Sequence, residues 1–491
     1  MKLSKLIILI LLVLGWVYPF HYVPWVVAEN EFFILLIPCF LFFPLLKYKN
    51  IKMNEFIFLP LILLLFSFIQ YFIIDYYFLE DFIVISIYAL FIIFILICSQ
   101  FYSSDENVYF FLKIIILLCL INSFIVLLQF FNIKSIFILE HSGVRRFYAN
   151  VGQPNHLSTL FMTGIIATLI LYRRQVIKTK MLYIMSIYLT FFIFLTGSRT
   201  GILTLLILLG LGFIFKIGEC KTLNFYFFGI LLLLYIAISY CFTKNSRNTV
   251  VSIETTFSDS RFLLWSDSIS SILENPWLGY GVNGVRTSRL FGDLNFKIPY
   301  VSAHNIFIDF FLWFGVVGGI LFLVYLLIVF KRIYTDKNNG YEILLFLTPF
   351  TVHSLFEYPF RYLYFLVLIV PAFTLIKGKK QFYIHRSILI LMISAYIGLV
   401  SFVYIDFERY SRGAFFAHTQ KCESGNGDPI VLDLMKKYSQ LYCGTLSSFE
   451  MRKVIYRYAY PIHIKYYIES GYDDENFIRF EQKIKSDNQI K

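Results

Sequence analysis

Charge is what this chain has least of. Charged residues fill 15% of its 491 positions, against 58% for hydrophobic ones, and the mean hydropathy is +0.71. Soluble domains are about 45–50% apolar, so a soluble globular protein of this length is excluded. Metal-type cysteine spacing is also missing: the seven cysteines include no C-x-x-C pair. There is no H-E-x-x-H, no G-x-x-x-x-G-K-[ST], and no D-x-D on a segment expected outside the membrane. Those gaps disfavour an ATP-driven pump and metal-dependent sugar transfer. Carboxylates are sparse on the expected outer segments, which disfavours a two-carboxylate hydrolase.

What is present is a series of apolar runs. About thirteen are long enough to span a bilayer. They lie near 3–20, 31–46, 54–74, 81–99, 108–131, 155–172, 181–196, 201–216, 223–242, 305–330, 341–359, 360–376 and 386–405. The first follows Lys2 and Lys5 and resembles a signal peptide, but no small-residue cleavage site follows it. It reads as a retained span. The fold class expected is therefore all-α, a polytopic membrane protein.

The net charge of +12 raises nucleic acid as a partner. Its distribution points elsewhere, because most Lys and Arg sit in short gaps between apolar runs. The basic gaps are Lys47–Lys52, Arg173–Lys180, Lys216–Lys221, Lys331–Lys337 and Lys377–Arg386. Under the positive-inside rule all five face the cytoplasm. The gap 99–107, with Asp105 and Glu106, joins them by parity alone. The outer face then carries a large loop, 243–304, and a tail, 406–491. A membrane domain over 1–405 and a small helical outer domain over 406–491 are expected. Cys422 and Cys443 lie in that tail, and an oxidising compartment would permit a disulfide between them.

The unusual polar residues all fall on the expected outer side. An ionisable group in an apolar span costs ~2.5–3.5 kcal/mol, so several at one depth suggest a functional cavity. Arg199, in "LTGSRTGIL", is either a snorkelling arginine or an anion clamp, whose planar fork can grip two phosphate oxygens. Ser260–Leu273 has helical periodicity with Arg261, Trp265 and Ser268 near one face. It reads as an amphipathic helix on the membrane, or as the bearer of a second anion contact. Asn275-Pro276 ends it, and Gly279, Gly281 and Gly284 predict a flexible turn.

His304 and Asn305, in "SAHNIF", stand at the mouth of an apolar helix. His304 is either an interfacial residue or a base for a hydroxyl nucleophile, and Asn305 is a cap or a contact. His353, Glu357 and Arg361 follow at i, i+4 and i+8, with Pro359 interrupting. They form a charge-paired knot or part of a site, with His353 and Glu357 sharing a face. "RRFYANVGQPNHLSTL" places Arg145, Arg146, Gln153 and Asn155 at a helix start, where backbone N–H groups favour an anion. "PFHYVPWVVAENE" is an aromatic–proline turn in the first outer loop.

Taken in order, "PFHYVPW...ENE", "FYANVGQPNHLSTL", "TGSRTG", "SRFLLWSDSISSILENPWLGYGVNG", "AHNIFIDFFLWFGVVGG" and "HSLFEYPFRYLYFL" resemble the bacterial O-antigen ligase superfamily. The likeness is closest to its pilin-type protein O-oligosaccharyltransferases and covers most of the membrane region. It implies an inner-membrane enzyme with its site facing the periplasm and no cofactor or metal. Such an enzyme moves a preassembled glycan from undecaprenyl diphosphate to a Ser or Thr hydroxyl of a pilin-like protein, with inversion. By motif, His304 matches the histidine that acts on the acceptor, and Arg199 and Arg261 match the arginines that hold the diphosphate. Gln153, Asn155, Asn305, His353, Glu357 and Arg361 are taken as further substrate contacts. A ligase acting on lipid A core, a glycan polymerase, and a flippase for the lipid-linked glycan are the alternatives. The glycan, the acceptor and the oligomeric state are not legible in the residues.

Overall fold

The computed structural model describes residues 2–21, 27–74, 79–140, 146–214, 221–245, 259–282, 284–291, 302–376 and 381–418. Along the chain these form α1 (Lys2–Val17), α2 (Ala28–Leu35), α3 (Ile37–Phe42), β1 (Asn50–Asn54), α4 (Phe58–Ile73), α5 (Leu79–Phe101), α6 (Asp105–Phe130), α7 (Pro154–Arg173), α8 (Thr179–Thr196) and α9 (Arg199–Ile214). There follow α10 (Lys221–Asn245), α11 (Asp259–Glu274), α12 (Gly284–Phe291), α13 (Ile306–Thr335), α14 (Gly340–Ser354), α15 (Leu363–Ile369), β2 (Gln381–His385) and α16 (Arg386–His418). Among the described residues, eight helices are long and apolar enough to cross a membrane, and four further apolar helices are shorter. The count of thirteen remains an expectation. The chain is a polytopic membrane protein by this measure.

Helix α7 is the pillar of the bundle. Every residue from His156 to Leu171 is buried. Its threonines are accommodated locally: Thr159, Thr163 and Thr168 each donate to the carbonyl four residues back, at 3.0, 2.8 and 2.8 Å. An unbonded buried hydroxyl would cost about 1–3 kcal/mol.

The two ends of α7 separate two polar regions. At its C-terminal end Arg174 bonds Glu342 and Asp105, at 2.8 and 2.9 Å, and Lys5 bonds Glu106 at 3.0 Å. Arg332 pairs with Glu55, and the Arg386 N–H donates to the Lys49 carbonyl. Four of the five basic gaps, and the acidic 99–107 gap, are thus joined at one end; residues 215–220 lie outside the description. Asn155, in the first turn of α7, marks the other end. At 1.5 Å per residue the two lie about 27 Å apart, close to the thickness of a bilayer core.

Three features depart from the expected architecture. Strands β1 and β2 pair antiparallel, Asn50 opposite His385 and Asn54 opposite Gln381, so the protein is mostly rather than wholly helical. Two basic gaps meet there, and alternation in β1 buries Ile51 and Met53 while exposing Lys52. The span expected at 305–330 is broken at Gly315, whose φ of 65° and ψ of −171° are non-helical. Finally, α16 runs on past the domain boundary expected at 405, to His418. Residues 419–491, with Cys422, Cys443 and the expected outer helices, lie outside the described part.

The break at Gly315 receives the turn after α11. Tyr280 N–H donates to the Leu312 carbonyl at 2.7 Å, Gly281 N–H to Trp313 at 3.0 Å, and Val316 N–H to Pro276 at 2.6 Å. The Gln70 side chain donates to the carbonyls of Leu278 and Trp313, both at 2.6 Å. The glycine turn predicted to be flexible is therefore clamped. A Cβ on Gly279 would lie 2.5 Å from the Gly315 nitrogen, and one on Gly315 2.5 Å from the Trp277 carbonyl oxygen. Only a residue without a side chain fits either place. This clamp fixes α11, which carries Arg261, against α13, which begins just after His304.

Candidate functional site

Glu357 is the hub at this end of the bundle. It lies in the turn after α14, its side chain 8% exposed. Oε1 accepts from Arg261 Nη2 at 2.8 Å and from Asn155 Nδ2 at 3.2 Å; Oε2 accepts from His304 Nδ1 at 2.7 Å. Burial alone would raise the carboxyl pKa. The hydrogen bond from His304 and the charges of His304, Arg261 and His156 outweigh it and hold the pKa below its ordinary 4.5. Glu357 is thus ionised at neutral pH. An ionised carboxylate can only accept, so the proton of a neutral His304 sits on Nδ1 and its lone pair on Nε2. The His304 ring is 17% exposed and meets Tyr358 edge-on, 4.9 Å between centroids.

His304 itself sits at φ +56°, a left-handed conformation rare for a residue with a Cβ. Asn305 follows as the cap of α13: its Oδ1 accepts from Phe307 and Ile308 N–H at 3.0 and 3.3 Å, and its Nδ2 donates to the Leu355 carbonyl. Asn305 therefore joins the helix start to the Glu357 turn.

The guanidinium groups gather on the opposite flank of Glu357. Arg146 donates from Nη2 to Asn155 Oδ1 at 2.8 Å and from Nε to the Thr196 carbonyl at 3.1 Å. Ser198 donates to the same Asn155 oxygen at 2.9 Å. Burial lowers the Arg146 pKa; Glu357 opposes that shift and the charge of Arg199 adds to it. Arg199, at the start of α9, also feels the charge of Arg261. Among the described residues it donates no hydrogen bond and forms no ion pair. Arg146 and Arg261 thus act on the Glu357 carboxylate, and Arg199 lies near enough to both for its charge to be felt, an excess of positive charge suited to an anion.

The remaining expected contacts fall in supporting places. Gln153 caps α7, its side chain accepting from His156 N–H at 2.7 Å. His353 is fully buried and faces α7 one turn from Glu357, His353 meeting Thr159 where Glu357 meets Asn155. Thr159 Oγ1 gives its hydrogen to the Asn155 carbonyl, so the 2.8 Å contact to His353 Nδ1 has the imidazole donating. His353 Nε2 has no partner among the described residues. Arg361 lies with its guanidinium carbon 5.7 Å from the Trp313 ring, and its carbonyl accepts from Tyr88.

Helix α11 forms one wall of this cluster. Arg261 faces Glu357, Trp265 donates from Nε1 to the Ala303 carbonyl at 2.9 Å, and Leu264 and Ser268 are buried. Phe262, Leu263, Ile269 and Leu273 face outward and are exposed, an apolar stripe at helical spacing. The helix is thus amphipathic, with Arg261 on the face toward Glu357 and the apolar stripe on the other.

Reasoning from the chain alone passed over Ser302 and Asp309. Asp309 did carry a signal: it is a carboxylate inside the apolar run "NIFIDFFLWF".

Comparison with known proteins finds likenesses over most of the chain. The family model described as O-Antigen ligase matches residues 184–323, and that described as Protein glycosylation ligase matches residues 148–172. The ComP-specific O-oligosaccharyltransferase of Acinetobacter baylyi is 25% identical over 460 residues, 86% of this chain and 82% of that one. The General O-oligosaccharyltransferase of the same organism is 24% identical over 408 residues, covering 74% and 70%. The chain is thus similar to O-antigen ligases and to protein O-oligosaccharyltransferases, and these likenesses support a glycosyltransferase-type enzyme.

Proposed function

We propose that the protein transfers a preassembled glycan from an undecaprenyl diphosphate carrier to a Ser or Thr hydroxyl of a periplasmic protein of the pilin class. The positive-inside rule supports a cytoplasmic Arg174 end, and with it a Glu357 end at the periplasmic surface of the inner membrane. The carrying observation is that Glu357 accepts from both His304 and Arg261, joining the base to the anion-binding flank.

In this reading the acceptor hydroxyl hydrogen-bonds to His304 Nε2. Its oxygen attacks the anomeric carbon while the bond from that carbon to the diphosphate oxygen breaks. The bonding pair leaves on the diphosphate, and the hydroxyl proton passes to His304. Glu357 fixes the ring and stabilises the imidazolium that forms. Arg199 and Arg261 receive the charge growing on the diphosphate, work for which a preorganised donor contributes about 3–4 kcal/mol. The two cations neutralise the leaving group, so the reading calls for no divalent ion. A single displacement inverts the anomeric centre.

Two alternatives are kept. The O-Antigen ligase match over residues 184–323 supports lipid A core as acceptor in place of protein. A flippase would use a broken helix to line a path through the membrane. Here the carbonyls freed at the Gly315 break accept from Tyr280, Gly281 and Gln70, which supports a structural use of the break. The test is co-expression with a lipid-linked glycan and a pilin, reading the mass of the pilin. A glycan-sized increase that disappears in His304→Ala, Arg199→Ala and Arg261→Ala supports the proposal. Wild-type transfer by His304→Ala removes the base, and transfer to lipid A core alone favours the ligase.

A further inference from the structure

The segment leading into His304 is tied down by a carboxylate outside the set just described. Asp309 lies in the first turn of α13 and is fully buried. Its Oδ2 accepts from the Ser302 hydroxyl at 2.5 Å and its Oδ1 from the Ala303 N–H at 3.0 Å. Ser302 Oγ in turn accepts from the His304 N–H at 3.0 Å. The hydroxyl hydrogen is committed to Asp309, so the Ser302 oxygen presents a lone pair to His304 rather than a competing donor. On the other side of the segment, the Ala303 carbonyl accepts from Trp265 of α11.

These bonds account for the backbone of His304. A left-handed residue with a Cβ persists only where its surroundings over-determine it. Here three successive residues, Ser302, Ala303 and His304, are held by one side chain through two direct bonds and one relayed bond. Burial is what makes the arrangement strong, because no water competes for the carboxylate. Its consequence is the position of the ring. Were residue 304 to relax toward an ordinary backbone conformation, Nδ1 would leave Glu357, and Nε2 would lose its aim.

We propose that Asp309, acting through Ser302, is a positioning residue for His304: it sets the backbone that aims the imidazole and touches neither donor nor acceptor. The inference rests on His304 being the base. A carboxylate at this place answers a mechanical need, since a base displaced by about 1 Å can lose about 10²-fold in rate.

The test measures transfer from lipid-linked glycan to pilin in reconstituted full-length protein, with kcat and donor KM separated. Variants are Asp309→Asn, Ser302→Ala and His304→Ala. Asp309→Asn keeps the volume and replaces the Oδ2 acceptor with a donor. Ser302→Ala leaves α13 and its cap intact, and it carries the test should Asp309→Asn not accumulate in the membrane. The expected result is a fall in kcat of tenfold or more in both, with donor KM and the unfolding midpoint in detergent within twofold and a few degrees of wild type. Wild-type kcat in both variants, with His304→Ala inactive, overturns this inference and leaves the base in place. Losses confined to donor KM or to the unfolding midpoint also overturn it. Wild-type transfer by His304→Ala overturns the base itself, and the positioning role with it.

Discussion

Nδ1 of His304 lies 2.7 Å from Oε2 of Glu357, across 53 positions of chain. In the neutral ring the pair puts the proton on Nδ1 and the lone pair on Nε2. Removing the ring and removing its partner should then differ in degree. His304→Ala is expected to lower transfer by at least about 10²-fold, the usual contribution of a positioned base. Glu357→Gln retains the shape but not the charge, and should cost less, with kcat more affected than donor KM. Single-turnover transfer in proteoliposomes reads both.

Glu357 also makes a prediction about pH. Its folded pKa is below the ordinary 4.5, so the unfolded chain takes up the proton first as pH falls. The stabilisation is complete above the unfolded value and is lost as pH drops through the folded one. The unfolding midpoint in detergent should therefore carry the full Glu357 contribution, without pH dependence from this group, between pH 8 and pH 5, and show an acid decline below about 4.5. Glu357→Gln should flatten that decline. An acid limb unchanged in the variant would assign it to other carboxylates.

Arg199 donates to no group among the described residues, whereas Arg261 is already bound to Glu357. Arg199→Ala should therefore act on the anion and little on the fold: a loss of about 10²-fold in kcat/KM with an unchanged unfolding midpoint. Arg199→Lys should recover only part of it, since an ammonium cannot grip two oxygens in a plane. Arg261→Ala should lower both activity and stability, because it leaves a buried carboxylate with one charged partner fewer. Parallel melting curves and transfer rates separate the two arginines.

The clamp between α11 and α13 predicts where the architecture is least tolerant. Gly315→Ala adds a Cβ 2.5 Å from a carbonyl oxygen at φ +65°. Gly279→Ala does the same from the opposite side. Each should cost about 2 kcal/mol or more, from backbone strain and overpacking together. The expected result is less folded protein in the membrane and a lower melting temperature. Gly210, where an added Cβ would meet nothing within 4 Å, serves as the tolerant control.

Much of the candidate site was legible as a list of residues. His304, Arg199, Arg261, Asn155 and Glu357 all stand out as polar groups beside apolar runs, and one end of the bundle holds them all. Their relations were not legible. The i, i+4 spacing of His353 and Glu357 suggests a shared face, and both do turn to α7, His353 to Thr159 and Glu357 to Asn155; nothing in that spacing tells that Glu357 also reaches His304 and Arg261. Gln153 has the composition of a ligand contact and serves as a helix cap. Asp309 was visible and passed over, because a carboxylate in the first turn of a helix has an ordinary explanation in the helix dipole.

Hydropathy and the placement of Lys and Arg marked this chain by themselves as a polytopic membrane protein, located most of its apolar segments, and gave an expectation of which gaps share a side. Each of those is a local property, summed over a window and needing no partner. Only the tertiary structure decided that one carboxylate would join a histidine, an arginine and an asparagine drawn from three other segments, that α13 would break at Gly315 to receive the turn after α11, and that Asp309 would fasten the residues ahead of His304. Those outcomes depend on hydrogen bonds of about 3 Å between groups far apart in sequence. Their distances and angles are fixed by packing, which no one-dimensional pattern encodes.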